Sequence, residues 1–380
     1  MDLRYLRPWA RHILSEDDAR LLVRPVSPNE VKQAIFDIDE TKAPGPDGYS
    51  SAFFKAAWQV VGGDVTCAIM EFFRTGRLLR QVNATLITLI PKRMRGILDK
   101  LVSPTQNAFV PGRSISDNIL LAQELFSGYN QRHLPPRCAL KVDLRKAYDT
   151  VEWDFLHAVL TLFGFPAQFI AWIMECVSTP SYSVCINGLP HGFFSGARGL
   201  RQGDPMSPFL FVLVMEVLSL ITQQIIDQDG GFSYHWRCGD IRLFQLGFAD
   251  DLLLFSKAET ASVLVFKRAL TMFADLSGLH ANIQKSHLIL SRAALPLRDA
   301  LLATLDFQEG HLPLRYLGLP LLASRLTIAD CQPILRKIDD RIKGWEGIML
   351  SFAGEYNSSS LSCQRSRSIG LWHLFCLSIS

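Results

Sequence analysis

The stretch "FQLGFADDLLLFSKA", Phe244 to Ala258, sets two adjacent aspartates between strongly apolar runs. An unpaired carboxylate beside a core costs several kcal/mol in desolvation. Side chains of consecutive residues on one straight strand point to opposite faces, so Asp250 and Asp251 cannot converge inside a strand. At the tip of a hairpin they can. "IRLFQLGFA" and "LLLFSKA" both read as strands, and the aspartates fall between them. A convergent pair repels itself unless a cation neutralises it, and hard carboxylate oxygens suit magnesium. A polar hairpin turn without chemistry is the plainer reading of the dipeptide alone. One further carboxylate at a neighbouring strand end would complete a two-metal site for phosphoryl transfer, and Asp143 closes the short strand "ALKVD".

The rest of the chain reads as mixed helices and strands without a regular βαβ repeat, which points to the α+β class. "SPNEVKQAIFDI" carries a helix start, with Ser27 capping, Pro28 in the first turn and Glu30 reaching back. "KAPGPDG" is a turn segment and "NATLITLIPK" a strand. "RSISDNILLAQELFSGYN" is a helix expected to be capped by Ser116. A further helix opens near Asp149, whose Asp149-Thr-Val-Glu152 segment is read as its cap, with Glu152 and Asp154 as solvated charges. "SYSVCINGLPHGFF" is a hairpin turning at Asn187-Gly188. A long helix starts at Ser207-Pro208, with Ser207 as cap, "ASVLVFKRALTMFADLSG" is another helix, and "NIQKSHLIL" is a strand.

Charge excludes a uniformly basic nucleic-acid coat: 39 Lys and Arg stand against 36 Asp and Glu, for a net +3. A local basic groove remains compatible. None of the eight cysteines forms a C-x-x-C pair, so free buried thiols are favoured over zinc or disulfides. The nine histidines show no ligand spacing. The first residues lack a secretory signal, and "PFLFVLVMEVLSLI" is broken by Glu216 and reads as a buried helix too short to cross a bilayer.

"FADD", "KVDLRKAYDTVEW" upstream and "GLRQGDPMSPFLF" between them resemble the sequence blocks of reverse transcriptases, most closely the non-LTR (LINE-type) retrotransposons of plants. "KAPGPDG", "AFVPGRSISDNILLAQEL", "SGLHANIQKS" and "LPLRYLGLPL" match the same family in order, over Pro25 to Ala353. The resemblance implies a right-hand polymerase palm with partial fingers and an incomplete thumb. It divides the chain into a helical lead-in (1–40), fingers and palm (41–320), the start of a thumb (321–353) and a disordered or frame-shifted tail (354–380).

By the same resemblance, Asp143, Asp250 and Asp251 are the metal-binding triad for two Mg²⁺ ions, with Mn²⁺ as a substitute. Tyr148 lies beneath the incoming sugar, and Gln202 with Gly203 lies near the nucleotide and templating base. Lys285 is the general acid toward pyrophosphate. Arg113, Arg201 and the Tyr316-Leu317-Gly318 hairpin meet nucleic acid. The implied partners are an RNA template, a DNA primer and dNTPs, with no membrane and an intracellular setting, nuclear or cytoplasmic.

The chain also departs from the family. Between "IPK" and "VSP" a block carrying a nucleotide-holding arginine is missing, because Lys92 runs straight into Arg93-Met94. That absence is expected to open the core locally. It leaves two readings: an RNA-directed DNA polymerase domain, or a truncated, catalytically dead remnant that at most binds nucleic acid.

Overall fold

The computed structural model describes residues 1–40, 49–78, 89–186 and 189–324, with Gln332, Arg336 and Asp340 as single positions beyond. The helices are α1 (Glu16–Val23), α2 (Pro28–Phe36), α3 (Ser51–Ala56), α4 (Trp58–Thr75), α5 (Leu89–Leu101) and α6 (Ile115–Phe126). After them come α7 (Trp153–Leu162), α8 (Ala167–Ser178), α9 (Ser207–Asp229), α10 (Thr260–Ser277) and α11 (Arg298–Thr304). The strands are β1 (Arg137–Val142), β2 (Ser181–Ile186), β3 (Leu189–Ser195), β4 (Gln245–Phe248), β5 (Asp251–Lys257), β6 (His287–Leu290), β7 (Gln308–Gly310), β8 (Leu314–Tyr316) and β9 (Leu319–Leu321). "KAPGPDG", the turn residues Asn187-Gly188 and the expected tail lie outside the described residues.

A five-stranded sheet, ordered β4-β5-β1-β6-β7, is the platform of the molecule, and β2-β3 and β8-β9 form separate two-stranded sheets. Alternation along β1 and β5 sorts their side chains onto two faces. Cys138, Leu140 and Val142 of β1 join Leu252 and Leu254 of β5 in the main core, which α7, α9 and α10 complete. Ala139, Leu253 and Phe255 turn the other way, into a smaller core with Phe126 of α6 and with Tyr316 and Leu321. The α+β expectation holds: helices cover a mostly antiparallel sheet in the manner of a right-hand polymerase palm.

Helix α9 is buried almost all round, as a helix without a polar face must be. At 23 residues it is long and apolar enough to cross a membrane, contrary to the sequence expectation, because it runs on past the apolar stretch to Asp229. It is a core helix here, with 89% of its most apolar window inside the protein.

Ser27 caps α2 by accepting from the Glu30 N–H, with Pro28 in the first turn, as the sequence predicts. Three other expectations fail. The cap of α6 is Ser114, whose hydroxyl accepts from the Ser116 N–H. Ser207 does not cap α9; Asp204 does that work, its carboxylate accepting from Met206 N–H and its carbonyl from Ser207 N–H. The end of "NATLITLIPK" is not strand, since Leu89 to Lys92 open α5.

That helix also overturns the expectation of an exposed core. Ile90, Met94, Ile97, Leu98 and Leu101 recur at helical spacing and are all buried. Arg93 points inward beside them. Its guanidinium pairs with both oxygens of Glu30 at 3.1 Å and donates to the carbonyls of Leu22 and Arg24. It thereby satisfies the open C-terminal carbonyls of α1 and ties α5 to α1 and α2.

Candidate active site

β4 and β5 form a hairpin in which Phe248 pairs with Asp251, leaving Ala249 and Asp250 as the turn. β5 then pairs antiparallel with β1, from Arg137↔Lys257 to Val142↔Leu252. One more step in that register sets Asp143 opposite Asp251, on strands about 4.8 Å apart. Residues directly opposite share a face, so both carboxylates rise on the side of the smaller core. Asp250 is exposed at the turn, and Asp143 and Asp251 are half-buried.

The three act on one another. Burial raises the Asp251 carboxyl above its ordinary range, and the charge of Asp250 and then that of Asp143 push the same way. Lys141, two residues before Asp143 on β1 and so on its face, pulls Asp251 back down. Like charges are thus held together against their repulsion, which a bound cation would relieve. Among the described residues, no three His, Cys, Asp or Glu side chains already stand close enough to grip an ion. The donors nonetheless fit a hard divalent cation in kind and in register: carboxylate oxygens on adjoining strand ends.

Tyr148 lies on the short helical turn Ala147–Thr150, which follows β1 closely. Its ring stacks on Phe211 of α9, with centroids 4.6 Å apart. Burial pushes its hydroxyl up to about 12, and the Asp250 charge adds to this. Two glycines pack closely against this turn. A Cβ on Gly199 would meet the Asp149 carbonyl oxygen at 2.7 Å, and one on Gly278 the Thr150 oxygen at 2.6 Å, both at positive φ. Only glycine lets both chains close on the turn.

Asp149 does not cap α7. Glu152 stands at that position and its side chain makes no capping hydrogen bond to the helix, and the Asp149 carboxylate instead accepts from Gln202 Nε2 at 3.2 Å. Gln202 and Gly203 are exposed in the loop before α9, with Gly203 at φ 87°. Arg201 is half-buried, and its charge offsets part of the rise that burial imposes on the Asp204 carboxyl.

Lys285 is exposed in the turn before β6, not on a strand. That turn is fastened to Asp143, whose carbonyl accepts from Asn282 N–H at 2.7 Å and whose N–H donates to Ser286 Oγ at 3.1 Å. Asp143 and Lys285 consequently line one open cavity of about 580 Å³, together with Arg145, Lys146 and Arg198. The local basic groove that net charge left open is here. Arg198 is partly answered by Glu152, 3.1 Å away.

On the far side, Tyr316 is buried, and Leu317 (φ 48°) and Gly318 (φ 87°) make the turn from β8 to β9. Burial raises the Tyr316 hydroxyl, as does the charge of Asp251, while Asn118 hydrogen-bonds to it at 3.5 Å. Arg113 is turned away from any outside partner. Its guanidinium donates to the carbonyls of Val102, Ser103 and Gln106 and pairs with Asp99 at 2.8 Å. A cation with several donors in a fixed fork matches a helix C-terminus as well as a phosphate, and α5 ends there.

The structure therefore gathers Asp143, Asp250, Asp251, Tyr148, Lys285 and Tyr316 around the strand ends. Gln202, Gly203 and Arg201 share the loop facing the Tyr148 turn, and Arg113 is removed. Sequence reasoning missed Lys141, which the alternation of "ALKVD" already put on the face of Asp143. It also missed Arg145 and Arg198, which only the fold brings to the cavity.

Residues 74–321 match the family described as "Reverse transcriptase (RNA-dependent DNA polymerase)". The chain is 24% identical, over 96% of its length, to the Transposon TX1 uncharacterized 149 kDa protein of Xenopus laevis. It is 27% identical, over 55% of its length, to the Pol polyprotein of the type-2 retrotransposable element R2DM of Drosophila melanogaster. It spans less than a third of either relative, 30% and 18% respectively. A 77-residue stretch is 42% identical to the uncharacterized mitochondrial protein AtMg01250 of Arabidopsis thaliana, 18% of this chain and 63% of that protein. Among solved structures, telomerase from Candida albicans overlaps 76% of this chain and 45% of its own, at 13% identity and a TM-score of 0.44.

Proposed function

Given that this chain belongs to the reverse transcriptase family, and is the reverse-transcriptase domain of a non-LTR retrotransposon, we propose that it extends a DNA primer on an RNA template with dNTPs. Members of the family generally use divalent metal ions. In this proposal Asp143, Asp250 and Asp251 hold two Mg²⁺ ions, for which Mn²⁺ can substitute. Bound there, such ions would activate the primer 3′-hydroxyl and neutralise the departing pyrophosphate.

The observation that carries the reading is the β1–β5 register, which runs toward an Asp143–Asp251 pair, together with the charges that Asp251 feels from its two neighbours. The protein's own groups divide the remaining work. Tyr148, braced on Phe211, forms the floor under the incoming sugar and excludes a 2′-hydroxyl. Gln202 and Gly203 meet the nucleotide and templating base, and Arg201 the template backbone. Lys285, in the basic cavity it shares with Asp143, gives a proton to the leaving pyrophosphate. The Leu317-Gly318 turn, carried on the buried Tyr316, supports the primer end.

The same proposal keeps the division into lead-in, fingers and palm, thumb start and tail at 1–40, 41–320, 321–353 and 354–380. It sets the protein inside the cell, nuclear or cytoplasmic, and takes the short Arabidopsis match as support for a plant element.

Primer extension on poly(rA)/oligo(dT) with Mg²⁺, wild type against Asp250→Asn, tests the function. Incorporation by the wild type that disappears in the variant is the expected result. The rival reading, a non-catalytic remnant, requires no incorporation by either protein.

A further inference from the structure

The turn that carries Asp250 is not held by its own strands alone. Ala249 has φ 56°, a left-handed backbone that a non-glycine residue adopts only at a cost. Such a conformation persists where the surroundings over-determine it. What surrounds Ala249 is the buried side chain of Gln106, 143 residues away in sequence. Gln106 Oε1 accepts from Ala249 N–H at 3.0 Å and from Ala108 N–H at 3.1 Å. Gln106 Nε2 donates to the Ala249 carbonyl at 3.4 Å. Turning the amide over would aim an NH₂ group at two N–H donors, so the network fixes its orientation. Among side chains, an amide suits this task because one planar group carries both a donor and an acceptor.

The neighbouring backbone tightens the grip. Gly247 N–H donates to the Thr105 carbonyl at 2.8 Å, and Asn107 N–H to the Gly247 carbonyl at 3.2 Å. The Asn118 amide donates to that same carbonyl at 2.7 Å. A side chain at 247 would intrude, since its Cβ would lie 3.0 Å from Gln106 Nε2. The segment that supplies Gln106 is itself anchored to rigid parts: Arg113 binds its carbonyls, and Glu216 of α9 accepts from Ser103 N–H at 3.0 Å.

We propose that Gln106 is a positioning residue for the Asp250-Asp251 tip: by holding both backbone groups of Ala249 it sets how the two carboxylates leave the hairpin, without touching substrate. The inference rests on the polymerase reading above and deepens it. It also assigns the inward-facing Arg113, Ser103 and Glu216 a common purpose, as the footing of that clamp.

The test uses the full chain with Gln106→Ala, Gly247→Ala and the double variant. Misplacing reacting groups by about an ångström can cost on the order of 100-fold, so Gln106→Ala should lower kcat for dTTP on poly(rA)/oligo(dT) by about 30-fold or more. The KM for dTTP and the Kd for the duplex should stay within about 3-fold, because those surfaces are untouched. Mn²⁺ affinity, read by electron paramagnetic resonance without nucleotide, should weaken. Amide hydrogen exchange over residues 244–255 should accelerate, while α9 keeps its protection. Gly247→Ala should act in the same direction by pushing the amide off the hairpin. The double variant should then be no worse than Gln106→Ala alone, as coupling through one contact requires.

Wild-type kcat in Gln106→Ala, equal losses in kcat and duplex affinity, or strict additivity of the two substitutions would overturn the clamp. If Gln106→Ala does not fold, Gln106→Met fills the same space without either hydrogen bond, and the same readings apply. A wild type that incorporates nothing defeats the polymerase reading instead, and the exchange and Mn²⁺ measurements still decide the clamp.

Discussion

The two faces of the central sheet are built from the same strands in the same register, yet they are spent differently. On one face Leu140, Val142, Leu252 and Leu254 are fully covered by α7, α9 and α10. On the other, Ala139, Leu253 and Phe255 bury against α6 and β9, and the apolar surface then gives way to Lys141, Asp143 and Asp251. The first face gains free energy at every position. The second surrenders some, because Asp251 sits half-buried beside two like charges. Keeping such an arrangement costs stability, and a function is the usual reason that a fold tolerates it. Stability and chemistry should therefore separate by face, and substitutions can break that division.

The largest effect is expected at Asp251→Asn. On the proposed function, removing a carboxylate that holds the metal ions forfeits several kcal/mol of transition-state stabilisation, so incorporation should fall roughly 10³-fold or more. Stability should move the other way. The folded protein raises the Asp251 carboxyl above its unfolded value, so this group's contribution falls as pH rises from the ordinary carboxylate range through the raised one. At neutral pH the amide removes that burden, and the urea midpoint should match or exceed wild type. A variant that loses activity and stability together would erase the distinction between the faces.

Leu140→Ala, one residue from Lys141 but on the opposite face, should do the reverse. A fully buried leucine cut back to alanine costs about 2–5 kcal/mol in unfolding free energy. Activity per folded molecule should stay close to wild type, measured well below the lowered melting temperature. If kcat falls along with stability, the site draws on the dry face more than the packing implies.

How much of this could be read beforehand differs by scale. The hairpin carrying Asp250 and Asp251 was legible because its signal is local: two carboxylates between apolar strands have few places to go. The Ser27 cap and the β2–β3 pairing were legible for the same reason. The end of "NATLITLIPK", whose residues 83–88 lie outside the described ones, misled because the deciding helical pattern, Ile90, Met94, Ile97, Leu98 and Leu101, begins there and continues past it. Arg113 and Asp149 misled differently. Each carries the right chemistry for its expected role, but the available partners, a helix C-terminus and Gln202, are tertiary facts. Gln106 had no local signal, since nothing in its neighbourhood announces a contact with Ala249.

A smaller effect sharpens the comparison from the dry side, which holds an acid of its own. Glu216 is buried in α9, accepts from Ser103 N–H and faces the charges of Arg113 and Arg11. Burial outweighs those partners and lifts its carboxyl from 4.5 to about 7. Between those two values the folded chain keeps a proton that the unfolded chain has lost. Stability from this group therefore falls as pH rises across that window and levels off above it. At 1.36 kcal/mol per unit the change is at most roughly 3 kcal/mol. Glu216→Gln keeps an acceptor for Ser103 and cannot titrate, so the difference in urea midpoint between variant and wild type should grow in the variant's favour from pH 5 to pH 7. Activity per folded molecule should stay within about 3-fold, because the neutral amide can still support the footing under Gln106. A constant difference across that range would mean that Glu216 is ionised in the folded chain as well as in the unfolded one. Lost activity with the stability gain intact would mean that its charge reaches the aspartates through Ser103 and Gln106, and the two faces would then be one electrostatic unit.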